Sequence, residues 1–266
     1  MTEEVDAAIA AGLATADAEV ARLKQAVEDE EKWRKLLQTV VDDVPEAPAA
    51  VCDLLTKQAD VLGRRDDRDA ELLCGLRDLY RQCSERAIAS AKDSVRHFSA
   101  AAEAAGLEFD SSSRHPRYSL YDHAIEVELD ERGLKATVSV RQGERSRMPL
   151  DVVPVVRRVK EEHDRLFGRD WAPQAFLASL KKAYKPLSKK GDKVPLRDLA
   201  AAMSKPRKPR LDEFSVDLGR LLRGPLAETG STKVSVDQTR DTKNGLLLHG
   251  LQHSGYVLTL TMEERA

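Results

Sequence analysis

From Val5 to Val41 apolar residues return every three or four positions: Ile9, Leu13, Ala16, Val20, Leu23, Val27, Trp33 or Leu37, and then Val41. That is the spacing of one face of an α-helix, and no proline interrupts it before Pro45. A helix of this length gains little from its own backbone, so its stripe must be covered by other helices of the chain or of a partner. Glu30 falls on the stripe and Glu28 to Glu31 form an acidic run. The heptad is therefore not strict, and an intramolecular hairpin and a parallel dimer both satisfy it. Pro45 and Pro48 close the helix by removing backbone donors and by disfavouring helical geometry in the residues before them.

A second helical tract carries Val51, Leu54, Leu55, Val61 and Leu62, pauses near Gly63, and resumes through Leu72, Leu73, Leu76, Tyr80, Cys83, Ala87, Ala91, Val95 and Phe98. Gly106 stands where helices commonly stop. Between the two halves of this tract, Arg64 to Asp69 reads as a solvated elbow with local ion pairs. Residues 1–106 are thus expected to be a helical, coiled-coil-like region, antiparallel within the chain or paired with a protein partner or a second copy.

The polar run Asp110 to Arg117, DSSSRHPR, reads as a linker, and beyond it the period changes to two. Ile125, Val127 and Leu129 alternate with Glu126 and Glu128. After Glu131-Arg132-Gly133, Leu134, Ala136, Val138 and Val140 alternate with Lys135, Thr137 and Ser139, which predicts a half-buried antiparallel hairpin. Asp151 is placed to cap a helix through Val155, Val156, Val159 and Leu166, completing a segment spanning 107–168. Residues 169–266 then read as a helix from Pro173 that Pro186 ends or kinks, a short helix opened by Pro195, and LDEFSVDLGRLLRG, a helix with Leu211, Phe214, Leu218, Leu221 and Leu222 on one face. Strand patterning follows at Val234 and Val236, at Leu246 to Leu248 and at Tyr256, Leu258 and Leu260, with Asn244-Gly245 as a favoured hairpin turn. The fold class is α+β, long helices first and a mixed α/β part after.

Charge is distributed unevenly. The net formal charge is only −2, yet the first 60 residues are strongly acidic. From Pro173 to Arg210 the only acids are Asp192 and Asp198, against a dense set of lysines and arginines. Prolines keep Lys205 to Arg210 extended, and a basic tract of this kind neutralises phosphates in a salt-dependent, sequence-independent manner. Lys189, Lys190, Lys193, Lys205, Arg207, Lys208 and Arg210 are the candidate nucleic-acid contacts. Only Tyr184 is available for stacking among them, which disfavours single-strand readout.

The element order across residues 173–262, helix, short helix, helix, strand and hairpin strand, resembles a winged helix-turn-helix domain. The resemblance implies that Asp212 to Arg223 is the recognition helix and Thr239 to Gly245 the wing. Asp212, Glu213 and Asp217 on that helix would repel phosphates, so they are assigned to docking a protein partner.

Other chemistry is thin. Cys52, Cys74 and Cys83 lie inside helical patterning without a paired CxxC, which suits small buried hydrophobes in a reducing compartment. His249 and His253 are four apart but flanked by glycines between strands, and no third metal ligand accompanies them. His115, Asp122 and His123 cluster near the linker and are the one place for acid–base work. The sequence holds no phosphate loop, dinucleotide fingerprint, nucleophile elbow or HExxH. No catalytic residue, metal or cofactor is assigned. The acidic start MTEEVDAAIA and the lack of a long apolar run predict a cytoplasmic chain without a membrane span. The leading expectation is a non-catalytic accessory or adapter subunit that assembles through residues 1–106 and contacts nucleic acid through its basic C-terminal domain. The alternatives are a purely protein-interaction subunit and an enzyme of unrecognised type.

Overall fold

The computed structural model describes residues 2–43, 46–58, 70–188, 193–205, 208–224, 226, 232–248 and 256–264. The chain is α+β and divides into two compact units, Met1–Lys92 and Asp93–Ala266. Among the described residues no helix is long and apolar enough to cross a membrane.

The first unit is helical. Helix α1 runs Thr2–Asp43, α2 runs Pro48–Lys57 and α3 runs Ala70–Lys92. Pro48 sits in the first turn of α2, where its missing N–H has no helical partner to lose. Among the residues of α1 from Leu13 on whose burial is described, only those of the C-terminal part are covered: Trp33, Leu36 and Val40 join Val51, Leu55, Leu76 and Cys83 in one apolar core. Upstream, residues 13–28 of α1 are all exposed, including the apolar stripe. An intramolecular hairpin therefore covers the end of the stripe and leaves its middle bare. Of the three cysteines expected to be buried, Cys83 is, Cys52 is half-buried and Cys74 is exposed.

The second unit opens with α4, Ser94–Ala104, which ends at Gly106 with φ of 72°. There the Gly106 N–H donates to Glu103 O and the Leu107 N–H to Ala102 O, satisfying the last carbonyls. The predicted hairpin is present, with Ile125 opposite Val140 and Leu129 opposite Ala136. It forms the centre of a four-stranded antiparallel meander, β1 (Arg117–Leu120), β2 (Ile125–Asp130), β3 (Lys135–Val140) and β4 (Arg145–Pro149). The two outer strands escape the sequence pattern because they are short and carry arginines, as edge strands commonly do. Helices α4 and α5 (Val152–Phe167) pack together, and α5 lies on β2 and β3 with Val155, Val159 and Leu166 fully buried. The polar run read as a linker is folded into this unit. The Asp110 carboxylate accepts the backbone N–H groups of Asp122 and His123, each at 2.8 Å, while Ser113 Oγ donates to Ser119 O at 2.7 Å.

The remaining elements are α6 (Pro173–Leu187), β5 (Val194–Pro195), α7 (Leu196–Ser204), α8 (Leu211–Arg223), β6 (Thr232–Thr239), β7 (Leu246–Leu247) and β8 (Tyr256–Glu264). Strand β8 is central, with β6 on one edge and β5 and β7 on the other. Leu180, Leu196, Leu199, Leu218, Leu246 and Leu260 form the heart of their common core. Asn244-Gly245 does not make the expected two-residue hairpin, since β7 pairs with β8 and not with β6. Instead the Asp241 carboxylate accepts the N–H groups of Lys243 and Asn244 at 2.9 and 3.1 Å. Glycine is required at 245, where a Cβ would lie 2.6 Å from Asp241 O.

Candidate functional site

Helix α8 is the element whose surroundings differ most from the sequence reading. Its apolar face is buried as expected, but Asp212, Ser215, Val216 and Gly219 are buried as well, because α5, α6, α7 and β7 all pack against it. Of its residues only Arg223 is exposed, so little of the helix is open to a DNA groove. The recognition role implied for Asp212 to Arg223 is not supported by this placement.

The carboxylates of α8 are drawn into an ion-pair network with arginines of α5 and the turn after it. Arg165 donates through Nη2 to Asp212, through Nη1 to Glu213 at 2.9 Å and through Nε to Glu162 at 2.8 Å. Arg169 holds Asp217 at 3.0 Å and approaches Glu213 at 3.5 Å, while Arg210 reaches Glu213 at 2.7 Å. Arg158 pairs with the other oxygen of Glu162. Asp212 and Glu162 are only 5% and 6% exposed, so each depends on its guanidinium partners for what water no longer supplies. Asp212, Glu213 and Asp217, expected on an exposed face, are instead paired within the chain.

Electrostatics in the network follow from this geometry. Burial works to lower the Arg165 guanidinium, but hydrogen bonds to Asp212 and Glu162 outweigh it and hold the cation more firmly than usual. Burial pushes Glu213 up, and Arg210 and Arg165 overcome it, leaving its carboxyl below the ordinary range. For Asp217 burial wins over Arg169 and Arg220, and its pKa is raised. Burial likewise lowers Arg220, whose guanidinium donates to Phe167 O at 2.8 Å and lies 5.6 Å from the Phe167 ring centre. Arg158, Glu162, Arg165 and Arg169 were missed as site residues. The spacing of four and three that sets Arg158, Glu162 and Arg165 on one face of α5, with Arg169 just past its end, was the available signal.

Beside this network is a cleft of about 550 Å³, lined by Gln142 and Glu144 of the β3–β4 turn, by Arg158 and Arg165, and by Lys208 and Arg210. Gln142 adopts φ of 63° and donates through Nε2 to Leu247 O at 3.3 Å.

The candidate phosphate contacts fall into groups. Lys189, Lys190 and Arg207 lie outside the described residues. Lys193 is exposed and pairs with Asp237 at 3.1 Å, while Arg210 is exposed and tied to Glu213. Lys205 and Lys208 are exposed, as are Lys182 and Lys185 on α6, and none of these four has an ion-pair partner among the described residues. The structure thus leaves Lys205 and Lys208, both ahead of α8 in the chain, exposed and ties Lys193 and Arg210 to carboxylates.

His115 and Asp122 are exposed, and the structure does not bring them together with a third group. His123 Nε2 lies 3.2 Å from Ser112 Oγ, and its Nδ1 is 3.9 Å from Glu126 Oε1. The serine contact is a hydrogen bond, whereas the glutamate is too distant to orient the imidazole as a relay requires. Glu128 is bridged by Arg117 and Arg145 across the sheet at 3.5 and 3.7 Å. His249 and His253 lie outside the described residues. Among the described residues no cluster of three or more His, Cys, Asp or Glu is arranged to hold a metal.

Compared with known proteins, the chain matches no protein-family model, no curated protein and no solved structure.

Proposed function

We propose that the chain is a non-catalytic accessory or adapter subunit that assembles through its N-terminal helices and docks nucleic acid through phosphates with its C-terminal basic surface. The observation that carries this reading is the partition of charge around α8. Its carboxylates are neutralised inside the fold by Arg165, Arg169 and Arg210, while Lys182, Lys185, Lys205 and Lys208 stay exposed without ion-pair partners among the described residues. The repulsion that three carboxylates would exert on a phosphate backbone is thereby muted.

The order α6, β5, α7, α8, β6, β8 and the sheet order β5-β8-β6 support a domain of winged-helix type. Because α8 is covered, such a domain contacts the backbone from its lysines and leaves sequence choice to a partner. Three free cysteines fit a reducing, cytoplasmic setting. A purely protein-interaction subunit is the second reading, favoured by the exposed stripe of α1.

Fluorescence anisotropy of labelled duplex DNA at several salt concentrations tests the proposal. Binding is expected to fall steeply with salt, and the variant Lys182→Ala, Lys185→Ala, Lys205→Ala, Lys208→Ala is expected to bind more weakly, its salt slope reduced by about 0.9 for each phosphate it no longer neutralises. No binding at low salt removes the nucleic-acid role and leaves the protein-interaction reading.

A further inference from the structure

We propose that the N-terminal half of α1 pairs with the same segment of a second copy of this chain, as a parallel, in-register two-stranded coiled coil. The proposal deepens the reading that the N-terminal helices mediate assembly and rests on it. Leu13, Val20, Leu23 and Val27 are 61%, 48%, 51% and 61% exposed, whereas Trp33, Leu36 and Val40 on the same helix are each 4% exposed. A long helix whose stripe is packed over residues 33–40 and bare over residues 13–28 lacks, along the bare part, the tertiary contact that ordinarily keeps a helix folded.

The bare stripe has the register of a coiled coil. Positions 13, 16, 20, 23 and 27 alternate steps of three and four, placing Leu13, Val20 and Val27 at a and Ala16 and Leu23 at d. Val20 and Val27 at a with Leu23 at d are the pattern that, among parallel coiled coils, selects two strands. In that arrangement Glu19, at g, faces Lys24 of the other copy, at e five residues on, and symmetry makes two such pairs of opposite charge. Within one chain Glu19 instead holds Arg22 at 2.7 Å, and Lys24 has no partner among the described residues. An antiparallel pairing with Val20 opposite Leu23 sets Lys24 against Asp17 of the other copy but Leu13 against Glu30, which leaves it one apolar layer shorter, and the alternative with Val20 opposite Ala16 sets Glu19 against Glu19 and Asp17 against Asp17. Five layers make a short seam, so the dimer is expected to be concentration-dependent, with Kd on the order of micromolar.

Light scattering and sedimentation on the full chain decide the matter. The mass is expected to rise with concentration from 29.5 kDa toward twice that value. Val20→Asp with Leu23→Asp should remain at the single-chain mass with an unchanged circular dichroism spectrum over its folded body, since both sites are exposed. Glu19→Lys and Lys24→Glu should each weaken dimerisation about three- to tenfold, and the double reversal should restore it. Ala16→Cys in a Cys74→Ser background should cross-link to a covalent dimer on mild oxidation. A single-chain mass at every concentration, or a dimer that survives the Val20 and Leu23 substitutions, overturns the proposal. A dimer insensitive to Glu19→Lys that fails to cross-link through position 16 overturns the parallel register. A monomer that still binds duplex DNA separates this failure from failure of the phosphate-docking reading.

Discussion

The middle of α1 and the whole of α8 invert the usual rule for what a helix hides. On α1 the large apolar residues Leu13, Val20, Leu23 and Val27 face water, while on α8 the carboxylate of Asp212 is buried and those of Glu213 and Asp217 are largely so. Neither outcome follows from the helix alone. Each depends on whether another element arrives on that face, and on whether it brings the right partner group. Around α8 the arriving elements bring arginines, which let carboxylates be buried. Along residues 13–28 of α1 no element of the described chain covers the apolar stripe, and it stays exposed.

The largest effect is expected where a charge is stranded. Arg165→Ala leaves Asp212 and Glu162 without their main partner in a buried setting and should cost about 3–5 kcal/mol, read as a lower urea midpoint. A loss below about 1 kcal/mol would mean that water enters the network freely. Leu218→Ala, at a fully buried position on α8, should cost about 2–5 kcal/mol. Leu23→Ala on α1 removes the same side chain from an exposed site and should leave the unfolding midpoint of the monomer within about 0.5 kcal/mol, while weakening self-association. Equal losses at the two leucines would erase the contrast between the helices.

A smaller effect concerns pH. The Glu213 carboxyl is held below its ordinary pKa in the folded protein, so its stabilisation is present above the unfolded value near 4.5 and is lost as pH falls through the lowered folded value. Asp217 has the opposite sign: its raised pKa means that the folded state takes up a proton first, and acidification relieves its burial penalty. Glu213→Gln should therefore flatten the decline of Tm with acid, and Asp217→Asn should steepen it. Parallel Tm profiles for the two variants and the parent would show that neither carboxylate titrates as its surroundings require.

Most helices and the β2–β3 hairpin were legible because their signals are local. Apolar spacing and Gly106 past a last turn act on neighbouring residues, and the structure repeats them, whereas Pro48, read as closing the first helix, opens the second. Edge strands β1 and β4 were not legible, since RYSL and RSRMP carry no alternation that distinguishes them from a loop until β2 and β3 offer hydrogen-bonding partners. The same holds for the Asn244-Gly245 turn, whose local preference yielded to the Asp241 carboxylate and to the pull of β8 on β7. The candidate lysines were visible as charge density. That Lys193 is tied to a carboxylate depended on Asp237, brought up from another part of the fold, whereas Arg210 pairs with Glu213 only three positions on.

Everything that short-range physics controls could be read along the chain: the periodicities, the breaks between elements, the division of charge and the apolar stripe of α1. Which faces were covered was a tertiary outcome, and it moved Asp212, Glu213 and Asp217 from an open surface to an internal network with arginines more than forty positions away. The reason is that burial and ion pairing are properties of two surfaces meeting. A chain read one residue after another carries each surface but not the encounter.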